Sequence, residues 1–503
     1  MPLVLHRQQL RRIGLRPPDR SPPPGSAGDA VSRSERRPEC QPRLTHQPRP
    51  HYTTRVLGLA DKQVGDCPDS RGAKAGLSPF GTRKSFSGRP LKAPDDPPEN
   101  RRQTMFEREV NPSRATEAEI AVVIPSYQEA DSIAHPTRIV SEGLKKYFPD
   151  KKSVIINADN ASPDHTEEVF LGTATEVPKI YISTPPNTPG KGWNFANAFR
   201  RTYSLGGRAI VCVDADLLSI TPEWIDYMVR PLLEDGFDYL TPLYARHKYD
   251  GTITNNICYP LIYGVFGQDI RQPIGGDFAL SARFARHIVS VPWHRTTHQY
   301  GVDIFMTMQA LLGGFKIAQV GLGSKVHKPS APKLGPMFLQ VVSTALLTVA
   351  DTFRTWKSIR SVAKTPVFGL QELGEAQDLN VDRQMIRRNA LEGFQATADA
   401  LGEYLSPQVA RRVERTFAAA DGPRIDTDFW IDVLFDLIAA FPTCDDTTRL
   451  VESMRGLYWG RVWSFMNETW ELPSAECEAP IRQQGERVFQ RRGELIKRLE
   501  AAS

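Results

Sequence analysis

Four short apolar runs, each released into a polar or glycine-rich loop, constrain the folding of this chain more than any other feature. They are Ile120-Ala121-Val122-Val123-Ile124, Ser153-Val154-Ile155-Ile156-Asn157, Lys179-Ile180-Tyr181-Ile182 and Ala209-Ile210-Val211-Cys212-Val213. Rich in β-branched residues and too short for helices, they read as strands buried on both faces. Helical periods separate them: Ile133, Ile139, Val140 and Leu144 after the first run, and Phe195, Ala198, Phe199 and Thr202 after the third. Asp159-Asn160-Ala161-Ser162-Pro163-Asp164-His165-Thr166 is a cluster of turn and N-cap residues that opens a further helix. Alternation at this spacing predicts an α/β domain with a mostly parallel sheet covered on both faces. In such a sheet the loops after the strands converge on one edge, where ligands bind.

From about Tyr239 the pattern loosens, with loops expected around Tyr244 to Thr254 and Ile270 to Phe278, a helix near Val302 to Leu312 and a last strand near Lys316 to Val320. Beyond about Ser330 the apolar period is helical, through Met337 to Trp356, Phe429 to Phe441 and Leu457 to Met466. The aromatic-rich Leu457-Tyr458-Trp459-Gly460-Arg461-Val462-Trp463 suits a core or an interface. Residues 1–104 are crowded with Pro, Arg, Ser and Gly and have no sustained apolar period, so they read as a disordered tail unable to offset its ordering entropy. The expected organisation is a tail at 1–104, an α/β domain at 105–330 and a helical region at 331–503, with the natural start placed at Met105.

Charge and cysteine content exclude several classes. The tail holds about 20 basic and about 10 acidic side chains, so the net charge of +5 belongs to it and the rest of the chain is net acidic. A nucleic-acid-binding globular domain is therefore not expected. Cys40, Cys67, Cys212, Cys258, Cys444 and Cys477 show no CxxC pairing, which suits a reduced cytoplasmic protein. The apolar stretches Met337 to Ala350 and Phe429 to Phe441 are interrupted by polar residues and fall short of the roughly 20 residues a membrane span needs.

The chemistry starts at Asp214-Ala215-Asp216, directly behind the fourth run. A strand-end Asp-x-Asp can be a plain turn or cap. It also offers two hard oxygen donors that suit Mg²⁺ or Mn²⁺, ions commonly bound through one or two carboxylates plus substrate phosphates. Gly190-Lys191-Gly192 puts a cation and a flexible backbone at a helix N-terminus, an arrangement fit for phosphate, but without the spacing of a P-loop.

Pro125-Ser126-Tyr127-Gln128-Glu129, Asp159 to Thr166, Gly190-Lys191-Gly192 and Asp214-Ala215-Asp216 resemble, in order and spacing, the GT-A (Rossmann-like) nucleotide-sugar glycosyltransferases. Gly275-Gly276-Asp277-Phe278, Tyr300-Gly301-Val302-Asp303-Ile304 and Lys325-Val326-His327-Lys328 are similar to the retaining glucosyl-3-phosphoglycerate and mannosylglycerate synthases. The resemblance implies a nucleotide pocket of Pro125, Tyr127, Glu129, Ser162, Lys191 and Asp214, and Asp216 with His327 as ligands of Mg²⁺ or Mn²⁺. It places Gly276, Asp277 and Asp303 beside the sugar and the attacking hydroxyl, with Asp277 and Asp303 as catalytic candidates, and Arg246, Gly251 and Thr254 at the acceptor. Read without it, Asp303 also fits a helix N-terminal acid and Asp277 a turn residue.

The implied reaction moves a hexose, glucose ahead of mannose, from a nucleoside diphosphate to a small hydroxy acid with retention, in an oligomeric enzyme. Where the phosphoglycerate enzymes resemble Gly-Arg-x-Thr, this chain has Gly251-Thr252-Ile253-Thr254, so an Arg for bidentate phosphate recognition is missing. Glycerate becomes the expected acceptor, with Arg246 or Lys248 meeting its carboxylate. Two alternatives are transfer to a polyprenyl phosphate, with Met337 to Ala350 as an interfacial helix, and a nucleotide-sugar-binding regulator without turnover.

Overall fold

A computed structural model describes residues 106–328 and 334–502; the proline-rich tail, Met105 and the proposed boundary near residue 330 lie outside them. Among the described residues eleven strands are formed: β1 (Arg108–Val110), β2 (Ile120–Ser126), β3 (Ser153–Asp159), β4 (Lys179–Ser183), β5 (Ala209–Cys212), β6 (Tyr239–Ala245), β7 (Gln268–Asp269), β8 (Phe278–Ser281), β9 (Ile317–Ser324), β10 (Ala363–Lys364) and β11 (Val367–Gly369). Nine of them make one sheet in the order β1-β4-β3-β2-β5-β8-β6-β9-β11, and β7 pairs with β10 alone. The sheet is parallel except where β1 meets β4 and where β8 runs antiparallel between β5 and β6. It is a mostly parallel sheet with helices packed on both faces.

Every residue of β2 is buried, and its side chains alternate between two cores. Ile120, Val122 and Ile124 pack with Val140, Trp224 and Met228 of the helices Ala134–Tyr147 and Pro222–Leu233. Ala121 and Val123 face Phe195 and Phe199 of the helix Lys191–Ser204, and that core runs on into the later helices through Phe338, Phe429, Leu434 and Phe465. Strands buried on both sides must read as unbroken apolar runs, which is why the four runs stand out in the sequence.

The later chain departs from its expected description in three places. The helical region also contributes β11, the sheet's edge beside β9. The segment expected to be a loop up to Thr254 instead enters a π-helical stretch, Thr254–Cys258, that continues as the helix Tyr259–Gly264. The helix Leu334–Asp351 buries Val342, Ala345, Leu346 and Val349 in the core, so it cannot lie on a membrane surface. Among the described residues no helix is long and apolar enough to cross a membrane. In the aromatic-rich segment Leu457, Tyr458, Val462 and Trp463 are buried within the chain.

Candidate active site

The parallel strands β2, β3, β5, β6 and β9 all end on the same sheet edge, and β8, running the other way, brings its preceding Gly275-Gly276-Asp277 there too. Asp159 at the end of β3 ties two of these loops together. It accepts from Ser126 Oγ at 2.6 Å, Ser162 N at 2.6 Å, Ser162 Oγ at 2.7 Å and Tyr181 OH at 3.1 Å. Ser162 Oγ in turn accepts from Gln128 N at 2.8 Å, which fixes the start of the loop carrying Tyr127 and Glu129. Glu129 is clamped by Ser132 Oγ and Lys328 Nζ, each at 2.7 Å.

Asp214 lies between two lysines. Lys191 Nζ donates to its Oδ1 at 2.8 Å and Lys325 Nζ to its Oδ2 at 3.0 Å. Burial would raise the Asp214 carboxyl, but the two ammonium groups outweigh it and hold the group well below the usual carboxylate range. Lys325 also donates to Gly275 O and Asp277 Oδ2, both at 2.7 Å. Asp277 has 0% exposure; it accepts from Asp214 N at 2.9 Å through Oδ1 and from Tyr244 OH through Oδ2. A Cβ on Gly276 would stand 2.0 Å from Asp214 Oδ2, so no other residue fits against the acidic pair.

Asp216 behaves differently. It has no hydrogen-bond or ion-pair partner among the described residues. Burial first, then the charges of Asp214 and Glu129, push its pKa up, while Lys325 and His327 pull it down. His327 Nδ1 lies 2.6 Å from Lys328 O, and since a carbonyl only accepts, Nδ1 carries a proton and Nε2 is the ring nitrogen left to face a ligand. Lone carboxylate and lone imidazole nitrogen line the same cavity. Among the described residues no three His, Cys, Asp or Glu side chains converge as a metal set. The site fits a cation that takes two protein donors and draws the rest from phosphate oxygens and water.

On the other wall, Arg246 Nε, Thr254 Oγ1 and Asp303 Oδ1 are buried without a hydrogen-bond partner. Asp303 stands in the first turn of the helix Val302–Leu312, with Oδ2 at 3.9 Å from Lys191 Nζ. Burial is the largest influence on its carboxyl, opposed by Lys191 and reinforced by Asp214, and the group is pushed up to about 6. The folded protein thus holds this proton more tightly than the unfolded chain. Stability from Asp303 is full below about pH 4 and falls as pH rises through about 6, by on the order of 3 kcal/mol. We expect Asp303→Asn to raise the unfolding free energy at pH 8 and to leave it nearly unchanged at pH 4. Urea unfolding at the two pH values measures this; an equal effect at both would contradict it.

Of the residues expected in the site, Pro125, Tyr127, Glu129, Lys191, Asp214, Asp216, Arg246, Gly251, Thr254, Gly276, Asp303 and His327 line one cavity of about 570 Å³. Ser162 and Asp277 do not. Ser162 supports the loop from behind, and Asp277 is wholly enclosed, so in this structure it positions Asp214 and Lys325 rather than meeting a substrate. Two further expectations are corrected. The amides of Gly190 and Gly192 are not open to phosphate: Gly190 N donates to Asn160 Oδ1 and Gly192 N to Gln299 O. Lys248 cannot meet a carboxylate, because its Nζ caps a helix end by donating to Thr469 O at 2.9 Å and Trp470 O at 2.8 Å. Lys325, the central cation, was missed; a buried lysine one residue past a strand carries no spacing signal to separate it from a surface one.

The description glycosyl transferase family 2 matches residues 121–287. The glucosyl-3-phosphoglycerate synthase of Mycolicibacterium paratuberculosis is 30% identical over 251 residues, 45% of this chain and 71% of that protein. The chain belongs to glycosyl transferase family 2. The namesake enzyme of Mycobacterium tuberculosis is 26% identical over 247 residues, 45% of this transferase and 72% of that protein. A crystal structure of the latter with Mg²⁺ and uridine diphosphate covers 46% of this chain and 79% of its own, at 26% identity and a TM-score of 0.38. This chain is thus a nucleotide-sugar glycosyltransferase similar to the glucosyl-3-phosphoglycerate synthases.

Proposed function

We propose that this transferase moves a hexose, glucose ahead of mannose, from a nucleoside diphosphate to a hydroxyl of a hydroxy acid, with retention of the anomeric configuration. The observation that carries the reading is the pairing of Asp216, lacking a partner, with His327, whose Nε2 is left to face a ligand, on the cavity that also holds Lys191 and Asp214. The name of the similar mycobacterial enzymes supports glucose and a glycerate-type acceptor. Asp216 and His327 would hold a Mg²⁺ or Mn²⁺, which supplies positive charge to the departing diphosphate.

The chain's own residues do the remaining work. Tyr127, more than half exposed at the rim, offers an aromatic face to the nucleobase beside Pro125 and Glu129. Burial would lower the Lys191 pKa, but Asp214 and Asp303 raise it, so Lys191 stays charged where negative charge develops. Arg246 and Thr254, each with an atom left without a partner, receive the acceptor's carboxylate. Incubating the full chain with UDP-glucose or GDP-mannose, Mn²⁺, and glycerate or 3-phosphoglycerate tests this, with NMR of the product anomer. Neither transfer nor donor hydrolysis under any combination would refute it, and an inverted product would remove the retaining part.

The acceptor's charge is set partly at residue 252. Thr252 lines the cavity and its Oγ1 shares a hydrogen bond of 2.6 Å with Tyr458 OH, so no cation faces a phosphate there. Thr252→Arg is expected to raise the kcat/KM ratio of 3-phosphoglycerate to glycerate by about tenfold, the worth of one charge-assisted contact. Initial-rate kinetics with both acceptors measures it; an unmoved ratio would remove residue 252 from acceptor selection.

A further inference from the structure

One wall of the cavity comes from chain that the family match, ending at residue 287, does not reach. Met337 and Val341 of the helix Leu334–Asp351, Leu379, Met385 and Ile386 at the start of the helix Arg383–Leu401, and Trp459 of the helix Arg455–Thr469 all face the cavity. We infer that the acceptor is a hydroxy acid bearing an apolar arm, aryl or branched alkyl, laid against this wall with its carboxylate at Arg246 and Thr254. The inference rests on the transferase reading above and specifies its acceptor.

Three observations converge on it. First, the wall is apolar in more than name: Leu379 is 45% and Met385 40% exposed beside the cavity, large side chains left uncovered by the described residues. Second, of the polar side chains on this wall, Gln340 and Asp382 each have one oxygen engaged within the chain, and Asn380 stands exposed between them. Gln340 Oε1 accepts from Tyr300 N at 3.0 Å, and Asp382 Oδ1 caps its helix by accepting from Met385 N at 2.9 Å.

Third, a phosphorylated arm lacks a counter-charge. The lysines and arginines lining the cavity are Lys191, Lys325 and Arg246, against the acids Glu129, Asp214, Asp216, Asp250, Asp303 and Asp382. Lys191 and Lys325 are committed to Asp214. Arg246 alone is loosely held, with Nε 3.8 Å from Asp250 Oδ2. Gly251, at φ +72°, keeps clear the space before it: a Cβ there would stand 3.1 Å from Arg246 Nη1. One guanidinium matches one carboxylate. Among the described residues lining the cavity, no further lysine or arginine is left for a dianion beside the donor's diphosphate.

The test compares 3-phenyllactate and 2-hydroxy-4-methylpentanoate with glycerate and 3-phosphoglycerate on the full chain, with Mn²⁺ and either UDP-glucose or GDP-mannose. Nucleoside diphosphate release and product formation are both followed. The expected result is a kcat/KM for the apolar acids at least tenfold above that for glycerate. Leu379→Asp and Met385→Glu should each lower that ratio several-fold, and because both acceptors are compared on one preparation, partial unfolding does not move it. Release of diphosphate with glycerate or 3-phosphoglycerate preferred would overturn the apolar arm and leave the transferase reading standing. No release from either donor, with any acceptor or with water alone, would overturn both.

Discussion

Replacing Asp216 by Asn, or His327 by Ala, will lower hexose transfer by roughly a hundredfold or more while leaving the fold at least as stable as before. The two halves of this expectation share a cause. Asp216 is half-buried next to Asp214 and Glu129 with its pKa raised, so its negative charge is a standing cost in the folded protein. The sign follows from linkage: a carboxyl whose folded pKa exceeds its unfolded one loses stability as pH rises through the folded value, and a neutral Asn avoids that loss at pH 7 and above. Yet that carboxylate lies near His327, whose proton is fixed on Nδ1 by Lys328 O. A carboxylate kept charged at a cost, beside an oriented imidazole, is explained by a cation that relieves it. Titration calorimetry with Mn²⁺ in the presence of UDP should show binding to the native chain and its loss in both variants, alongside thermal unfolding at pH 7.5. Full Mn²⁺ affinity in either variant, or a large drop in Tm for Asp216→Asn, would remove the pair from that role.

The part of the site that could be read in the sequence is the part built by parallel strands. β2, β3, β4 and β5 are buried almost throughout, so their central residues are apolar, and the loops behind them had to meet at one edge. The place of Asp214, Asp216 and Lys191 at that edge follows from this rule, and their roles come from the resemblance. β8 was harder to read, because Phe278-Ala279-Leu280-Ser281 is four residues long and its antiparallel place between β5 and β6 is a long-range choice. Without β8 in place, Gly275-Gly276-Asp277 can be located only by resemblance, and Asp277 then looks like a site residue rather than an enclosed prop. The wall of Met337, Leu379 and Trp459 is hidden for another reason. Apolar residues at helical spacing look the same whether they meet other helices or a cavity.

Lys325→Met carries the largest expected cost to stability, on the order of 3–5 kcal/mol, because it strips one buried ammonium from three acceptors at once. Asp277, with no exposure, would keep only Tyr244 OH and Asp214 N, Asp214 would keep only Lys191, and Gly275 O would lose its donor. A methionine matches the stem in volume but answers none of these groups. Arginine should not rescue the site: a planar guanidinium cannot replace a compact ammonium placed 2.7–3.0 Å from all three acceptors. If the loss comes from leaving Asp277 charged and alone, neutralising it should return part of the stability, so Lys325→Met with Asp277→Asn should unfold at higher urea than Lys325→Met by itself. Transfer activity should not return with stability, since Asp214 would still lack one of the two cations that fix it beside Gly276. A double variant no more stable than the single one would mean that Lys325 acts mainly through Asp214 and Gly275 and that Asp277 is held well enough by Tyr244.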